Sequence, residues 1–129
     1  MASTISYKSI GYVESFTNEL LRPEIIRAAE SRIVLESRFI QAVARLKVGQ
    51  HLWVIYHLHQ AEYWQDRFIP ELFIHRIASR PNPIGITLVR VVALEDSIIT
   101  VVGLDAINGS PIIDIKPYKP IFDGPPVTA

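Results

Sequence analysis

The chain has 129 residues, 49% of them hydrophobic, with 13 basic against 13 acidic side chains and no cysteine. That length suits one compact domain over residues 1–129, and the balanced charge carries no general signature of a nucleic-acid binder. Without cysteine, disulfides, a thiol nucleophile and thiolate metal sites are excluded.

No apolar run approaches the roughly 20 residues that span a bilayer, and Met1-Ala2-Ser3-Thr4 lacks the basic and apolar pattern of a signal peptide. The expectation is a cytoplasmic protein with no membrane partner. The high apolar fraction adds the expectation of an oligomer that buries further surface.

In chain order, Ile5 to Phe16 reads as a first strand centred on Ile10-Gly11-Tyr12-Val13, with Thr17-Asn18 as the turn after it. Pro23 through Glu30 predicts a short helix with proline in its first turn. Arg32 to Glu36 is a short strand. Ser37 then stands where it can cap a helix carrying Phe39, Ile40, Val43 and Leu46 at helical spacing and ending at Gly49. His51 to Gln60 is strongly β-prone. Alternation puts His51, Trp53, Ile55, His57 and His59 on one face, and Leu52, Val54, Tyr56 and Leu58 on the other, which is the better core face. Ala61 to Arg67 reads as a loop and Glu71 to His75 as another short strand.

The stretch from Arg76 through Arg80-Pro81-Asn82-Pro83-Ile84-Gly85 is a stiff rod. Pro81 and Pro83 fix their own φ and push Arg80 and Asn82 into extended backbone. Two arginines are thereby held at low entropic cost, and guanidinium forks suit a carboxylate or phosphate. An apolar run from Ile84 to Leu94 follows. Asn108-Gly109 is the preferred dipeptide for a two-residue type I′ hairpin, here joining Ile98–Ile107 to Ser110–Ile115. In that register Val102, Leu104, Ala106, Pro111, Ile113 and Ile115 share an apolar face, and Asp105 and Asp114 are diagonal neighbours on the other. The tail from Pro117, with four prolines, is expected to be an extended wrap. Short strands between turn signals predict an all-β, β-rich chain: a small single-domain β-barrel with one or two short helices.

For chemistry, no serine lies in a Gly-x-Ser-x-Gly elbow, and neither a P-loop nor a dinucleotide fingerprint is present. His57 and His59 share strand parity with His51, but the third ligand that a metal site wants lies two further strand steps away, so no native metal is expected. Asp105 and Asp114 either act as a general acid–base pair, accept from hydroxyl and ammonium groups, cap backbone amides around the hairpin, or simply face water.

Four blocks, in order, carry a family resemblance: Ile10-Gly11-Tyr12-Val13-Glu14-Ser15; His51-Leu52-Trp53-Val54-Ile55-Tyr56 closing on His59; Arg76 with Arg80-Pro81-Asn82-Pro83-Ile84-Gly85; and Leu104-Asp105 through Gly109-Ser110-Pro111 to Asp114-Ile115-Lys116-Pro117-Tyr118. The chain resembles the TrmO family, also called YaeB-like or TsaA-like, over nearly its whole length. The resemblance implies a small β-barrel that binds S-adenosylmethionine, forms a homodimer with the cofactor near the interface, and N6-methylates threonylcarbamoyladenosine beside the anticodon of tRNA. It implies cofactor contacts from His59, Gln60, Arg80, Leu88, Leu104 and Asp105, and substrate contacts from Arg76, Asn82, Lys116 and Tyr118. The catalytic base is left open among Asp105, Asp114 and His59. The sequence departs from the family's pattern at Arg22-Pro23-Glu24, at Ile74-His75-Arg76-Ile77-Ala78 and at Asn108-Gly109-Ser110. Two alternatives stay beside this reading: the same barrel methylating a small molecule or another acceptor, or a non-catalytic S-adenosylmethionine-binding module.

Overall fold

The computed structural model describes residues 3–16, 23–60, 70, 72–73 and 80–126. Six strands build it: β1 (Gly11–Glu14), β2 (Glu30–Leu35), β3 (His51–His57), β4 (Ile84–Glu95), β5 (Ile98–Val102) and β6 (Pro111–Pro117). All pairings are antiparallel, and the order β1-β2-β5-β4-β3-β6 closes into a barrel, as expected. Each strand therefore has a neighbour on both sides, which satisfies backbone groups that an open edge would leave to solvent.

The interior is aliphatic. Its largest fully buried side chains are Val13, Ile33, Leu52, Val54, Val89, Val91, Ile99, Val101 and Ile112. All but Leu52 are β-branched, the shape that packs well on a pleated surface. On β3 the expected alternation holds: Leu52, Val54 and Tyr56 are buried, and Leu58 packs against the core just past the strand end.

Several expectations are corrected. The first strand spans Gly11–Glu14 rather than Ile5–Phe16, because β2 offers partners only from Gly11↔Leu35 to Glu14↔Arg32. The helix expected from Pro23 to Glu30 is the single turn α1 (Pro23–Ile26), and Glu30 already belongs to β2. The helix expected from Ser37 begins as a 3₁₀ turn (Ser37–Phe39) and continues as α2 (Ile40–Ala44), with no side-chain cap on either piece. Val43 is buried and Phe39 and Leu46 pack on the core, whereas Ile40 faces out. The tail forms a third short helix, α3 (Pro120–Asp123), where an extended wrap was expected; the Asp123 carboxylate accepts from the Lys119 N–H at 2.7 Å across its first turn.

The hairpin is the largest correction. β5 lies between β2 and β4, and β6 lies between β1 and β3, so these two strands do not pair. Pairing them would have taken one edge of β5 from β2 or β4 and one edge of β6 from β1 or β3, which opens the barrel. The tight hairpin is instead at Asp96-Ser97, between β4 and β5, with Asp96 at φ 52°. Asn108-Gly109 does turn, and Ser110 N–H donates to the Ile107 carbonyl at 3.0 Å. Gly109 has φ +87° but Asn108 does not share the sign, so the turn is not type I′, which needs positive φ at both positions. The apolar phase of β6 is shifted as well. Ile55 pairs with Asp114 and Tyr56 with Ile112, leaving Ile113 as a bulge. Ile112 and Ile115 therefore point inward and Pro111 and Ile113 do not.

Leu72 and Phe73 lie in a turn, so they form no strand; the rest of the expected Glu71–His75 strand is outside the described residues. The Thr17-Asn18 turn, Arg22, the loop from Ala61 to Arg67, and Arg76 are also outside them.

Candidate functional site

Three segments converge at one mouth of the barrel. The first is the turn after β3, Leu58-His59-Gln60, where the strand ends and His59 loses the parity it would have had as a strand residue. The second is the proline rod: Leu58 N–H donates to the Pro83 carbonyl at 2.8 Å, and Ile84 N–H to the Asn82 carbonyl at 2.8 Å. Neither proline has an N–H to offer, and the Pro83 and Asn82 carbonyls are the anchoring groups. The third is the crossing loop, residues 103–110, which leaves β5 at Gly103 with φ +93°.

This loop runs past β4 and then to the end of β3. A Cβ built on Gly103 would lie 3.7 Å from the Leu88 carbonyl, and one on Gly109 3.8 Å from His59 Nε2. Leu104 and Ala106 bury their side chains, so Asp105 between them faces solvent. Beyond Asp105 the loop is fastened to β1. Gly109 N–H donates to the Val13 carbonyl at 2.7 Å, Val13 N–H to the Ser110 carbonyl at 3.0 Å, and Ser15 N–H to Asn108 Oδ1 at 3.0 Å.

The mouth thus gathers His59, Gln60, Asn82, Leu104 and Asp105, with Arg80 at the foot of the rod. Leu104 is buried, so what it offers a ligand is backbone. Arg80 is half-buried, and its Nη2 donates to the Leu72 carbonyl at 3.1 Å. Leu88 points outward on β4, cross-strand from Trp53.

Other expected site residues lie elsewhere. The diagonal pairing of Asp105 with Asp114 is not formed, because their strands do not adjoin. Asp114 sits on β6 opposite Ile55; its Oδ1 accepts from Ile115 N–H at 2.8 Å, and its Oδ2 lies 3.4 Å from Lys116 Nζ. That is the amide-capping alternative for this residue. Lys116 and Tyr118 are at the far end of β3. Lys116 pairs with Trp53, and the Tyr118 ring lies 6.5 Å from His51 and 6.1 Å from Trp53. Among the described residues no three His, Asp or Glu side chains are close enough to hold a metal ion.

Two features escaped the sequence reading. Tyr56, taken only as core, sends its hydroxyl to the Asp105 carbonyl and to Thr87 Oγ1. The signal was available: an aromatic with a polar tip on an otherwise aliphatic face needs a partner. The second is the outer face of β3 and β4, where the cross-strand pairs Trp53/Leu88 and Ile55/Ile86, with Ile84, form one apolar stripe. Ile84, Ile86 and Leu88 are 43%, 42% and 37% exposed.

Chemically, the mouth offers a carboxylate at Asp105, an imidazole at His59, amide groups and loop backbone at one end of the barrel. Such a set reads hydroxyls, an ammonium group and the polar edges of a heterocycle, and it is suited to positioning reactants rather than to strong base catalysis.

The sequence profile of the tRNA-methyltransferase O N-terminal domain matches residues 20–124. A probable S-adenosyl-L-methionine-binding protein of Methanothermobacter thermautotrophicus is 41% identical over 73% of this chain and 73% of its own. The tRNA (adenine(37)-N6)-methyltransferase of Escherichia coli is 32% identical over 96% of this chain and 62% of that protein. The solved structure of TrmO from Pseudomonas aeruginosa superposes with a TM-score of 0.78 at 30% identity, covering 98% of this chain and 62% of that one. The chain therefore spans less than two thirds of the bacterial enzymes that it resembles.

Proposed function

The chain belongs to the tRNA-methyltransferase O N-terminal domain family, and from that premise we propose that it is an S-adenosylmethionine-dependent methyltransferase acting on an adenine of tRNA. The observation that carries the reading is the convergence of His59, Gln60 and the Leu104-Asp105 backbone at the barrel mouth, held there by the loop from Gly103 to Ser110. Relatives named as S-adenosylmethionine-binding proteins and as tRNA (adenine(37)-N6)-methyltransferases support cofactor and substrate class.

The residues fit the cofactor's functional groups. Asp105 suits an ammonium or a ribose hydroxyl, His59 and Gln60 suit hydroxyl and adenine edges, and Leu88 supplies an apolar contact. Arg80 suits a carboxylate, either the cofactor's or the substrate's. S-adenosylmethionine supplies a methyl group on a sulfonium leaving group. The protein's own task is to line up the acceptor amine with that methyl and to receive the amine's proton late, with Asp105 and His59 as the candidate acceptors.

The finer substrate reading is N6 of threonylcarbamoyladenosine beside the anticodon, with Asn82 and Arg76 on the substrate side. A cytoplasmic homodimer belongs to the same reading. The apolar stripe of Trp53, Ile55, Ile84, Ile86 and Leu88 supports it: a patch of this kind on a closed barrel is an interaction surface, and Leu88 would bring the cofactor near that interface. No helix among the described residues is long and apolar enough to cross a membrane.

The test is mass spectrometry of tRNA nucleosides from cells lacking this gene, paired with the purified protein, S-adenosylmethionine and unmethylated tRNA. Loss of methylated threonylcarbamoyladenosine, with its restoration in vitro, is the expected result. An unchanged nucleoside profile moves the acceptor to another molecule, a reading favoured by the net charge of zero and by the pairing of Lys116 with Asp114.

A further inference from the structure

Tyr56 carries a hydroxyl into an aliphatic interior, where it is 4% exposed. A buried hydroxyl without partners costs on the order of a few kcal/mol; this one has two partners among the described residues. It donates to the main-chain carbonyl of Asp105, and it lies 3.1 Å from Thr87 Oγ1. Tyrosine has one proton and a carbonyl only accepts, so that proton is committed to Asp105 and Thr87 is the donor in the second bond. The chain of donation runs from β4 through β3 to the crossing loop.

The ring itself is seated by β4. Tyr56 pairs with Gly85, and a Cβ there would fall 2.6 Å from the ring carbons Cε2 and Cζ. Any larger residue would displace the ring and carry its hydroxyl away from the loop. Among the described residues the loop's other fastenings lie to either side: Gly103 N–H donates to the Ala29 carbonyl at 3.2 Å, Asn108 Oδ1 accepts from Ser15 N–H, and Gly109 and Ser110 bond to Val13 on β1. Tyr56 reaches the span between them.

We propose that Tyr56 is a positioning residue for the cofactor site, its hydroxyl setting the orientation of the Asp105–Ala106 peptide. A trans peptide is planar, so holding the Asp105 carbonyl toward Tyr56 turns the Ala106 N–H to the opposite side. The same bond sets the direction from which the exposed Asp105 carboxylate leaves the backbone. Gly85 is the second half of the device, as the slot that admits the ring. This inference rests on the reading of the 103–110 loop as a cofactor-binding segment.

The experiment uses the full chain with Tyr56→Phe, which keeps the ring in the Gly85 slot and removes only the hydroxyl, and with Thr87→Val, which leaves the Tyr56–Asp105 bond in place. Two quantities are read well below the melting temperature: the calorimetric affinity for S-adenosylmethionine, and hydrogen–deuterium exchange over residues 103–110. Tyr56→Phe is expected to weaken binding about tenfold, the scale of a buried hydrogen bond, and to raise exchange in that segment while β2, β4 and β5 stay protected. Thr87→Val should change affinity no more than about twofold, since it removes a bond that polarises the clamp rather than the clamp itself. Unaltered affinity in Tyr56→Phe, beside an unmutated chain that binds, overturns the inference and leaves the cofactor reading standing. Equal losses in both variants overturn it too, because they indicate general loosening of the barrel. An unmutated chain that fails to bind S-adenosylmethionine overturns the cofactor reading and this inference with it. Should Tyr56→Phe bind weakly only because it is unfolded, its exchange would rise across every strand, which is again the overturning result.

Discussion

Arg80 is bound into the fold and is also the side chain to which the proposed function assigns a carboxylate. Its guanidinium donates to the Leu72 carbonyl while the rod holds its backbone extended. Arg80→Lys keeps the charge and loses the fork. It is therefore expected to weaken S-adenosylmethionine or substrate binding by roughly 1.5–3 kcal/mol, the scale of a charge-assisted hydrogen bond. It should also cost about 1 kcal/mol of stability through the Leu72 contact. Calorimetric binding and thermal unfolding on the same samples check both halves; unchanged ligand affinity would retire Arg80 as a site residue. The two aspartates separate more sharply. Asp105 is an exposed residue of the loop at the mouth, and Asp114 is engaged with Ile115 N–H and Lys116 on the outer wall. Asp105→Asn is expected to lower methyl transfer by about tenfold to a hundredfold, toward the lower end of what acid–base and positioning groups contribute. Asp114→Asn should leave the rate within about twofold, since an exposed ion pair contributes little. Single-turnover rates with tRNA would read this contrast, and equal effects would count against it.

At the scale of elements, the turn at Asn108-Gly109 ties the loop to β1 and sets the distance to His59. Gly109→Ala keeps the polarity of the turn but puts a Cβ on a residue at φ +87°. The expected cost is about 1–2 kcal/mol of stability, the penalty for an L-residue in left-handed backbone, together with a measurable loss of S-adenosylmethionine affinity as the turn shifts against His59. Denaturant unfolding and calorimetry would report the two effects; a variant as stable as the parent contradicts the strain argument. The bulge at Ile113 has a different consequence. It turns Ile112 fully inward, against an interior closed on every side, so Ile112→Ala should cost about 2–5 kcal/mol. Ile113→Ala, at the bulge, should cost well under that in the same unfolding assay.

For the whole molecule, the proposed homodimer rests on the apolar stripe on the outer face of β3 and β4. A closed barrel has no edge strand to extend, so any partner must be met through a face. Ile86 lies at the centre of the stripe, opposite Ile55. Ile86→Glu places a charge where the proposed homodimer excludes water, and is expected to give monomers with the barrel's thermal unfolding nearly intact. Light scattering at micromolar concentration reads the outcome; a parent chain that is itself monomeric would remove the dimer from the functional reading.

The local chemistry of the chain was sufficient for much of this. Alternation on β3 picked out Leu52, Val54 and Tyr56 as core, because strand parity depends only on neighbouring residues. The apolar run from Ile84 to Leu94 was visible as a run and folds as β4, and the proline rod and the block around Leu104-Asp105 form two sides of the candidate site. The resemblance of the four blocks led to the family that the comparisons show. What the sequence did not determine is which strands meet. Asn108-Gly109 is a strong hairpin signal taken alone, but barrel closure needs β5 between β2 and β4, and the many backbone bonds of that closure outweigh one turn preference. The Ile113 bulge was hidden for the same reason, since a bulge arises from register against a partner strand. The separation of Asp105 from Asp114, and the hold of Tyr56 on the Asp105 carbonyl, follow from that closure. Both depend on residues far apart in the chain, so periodicity and spacing carry no trace of them, and only the closed barrel brings Tyr56 to Asp105.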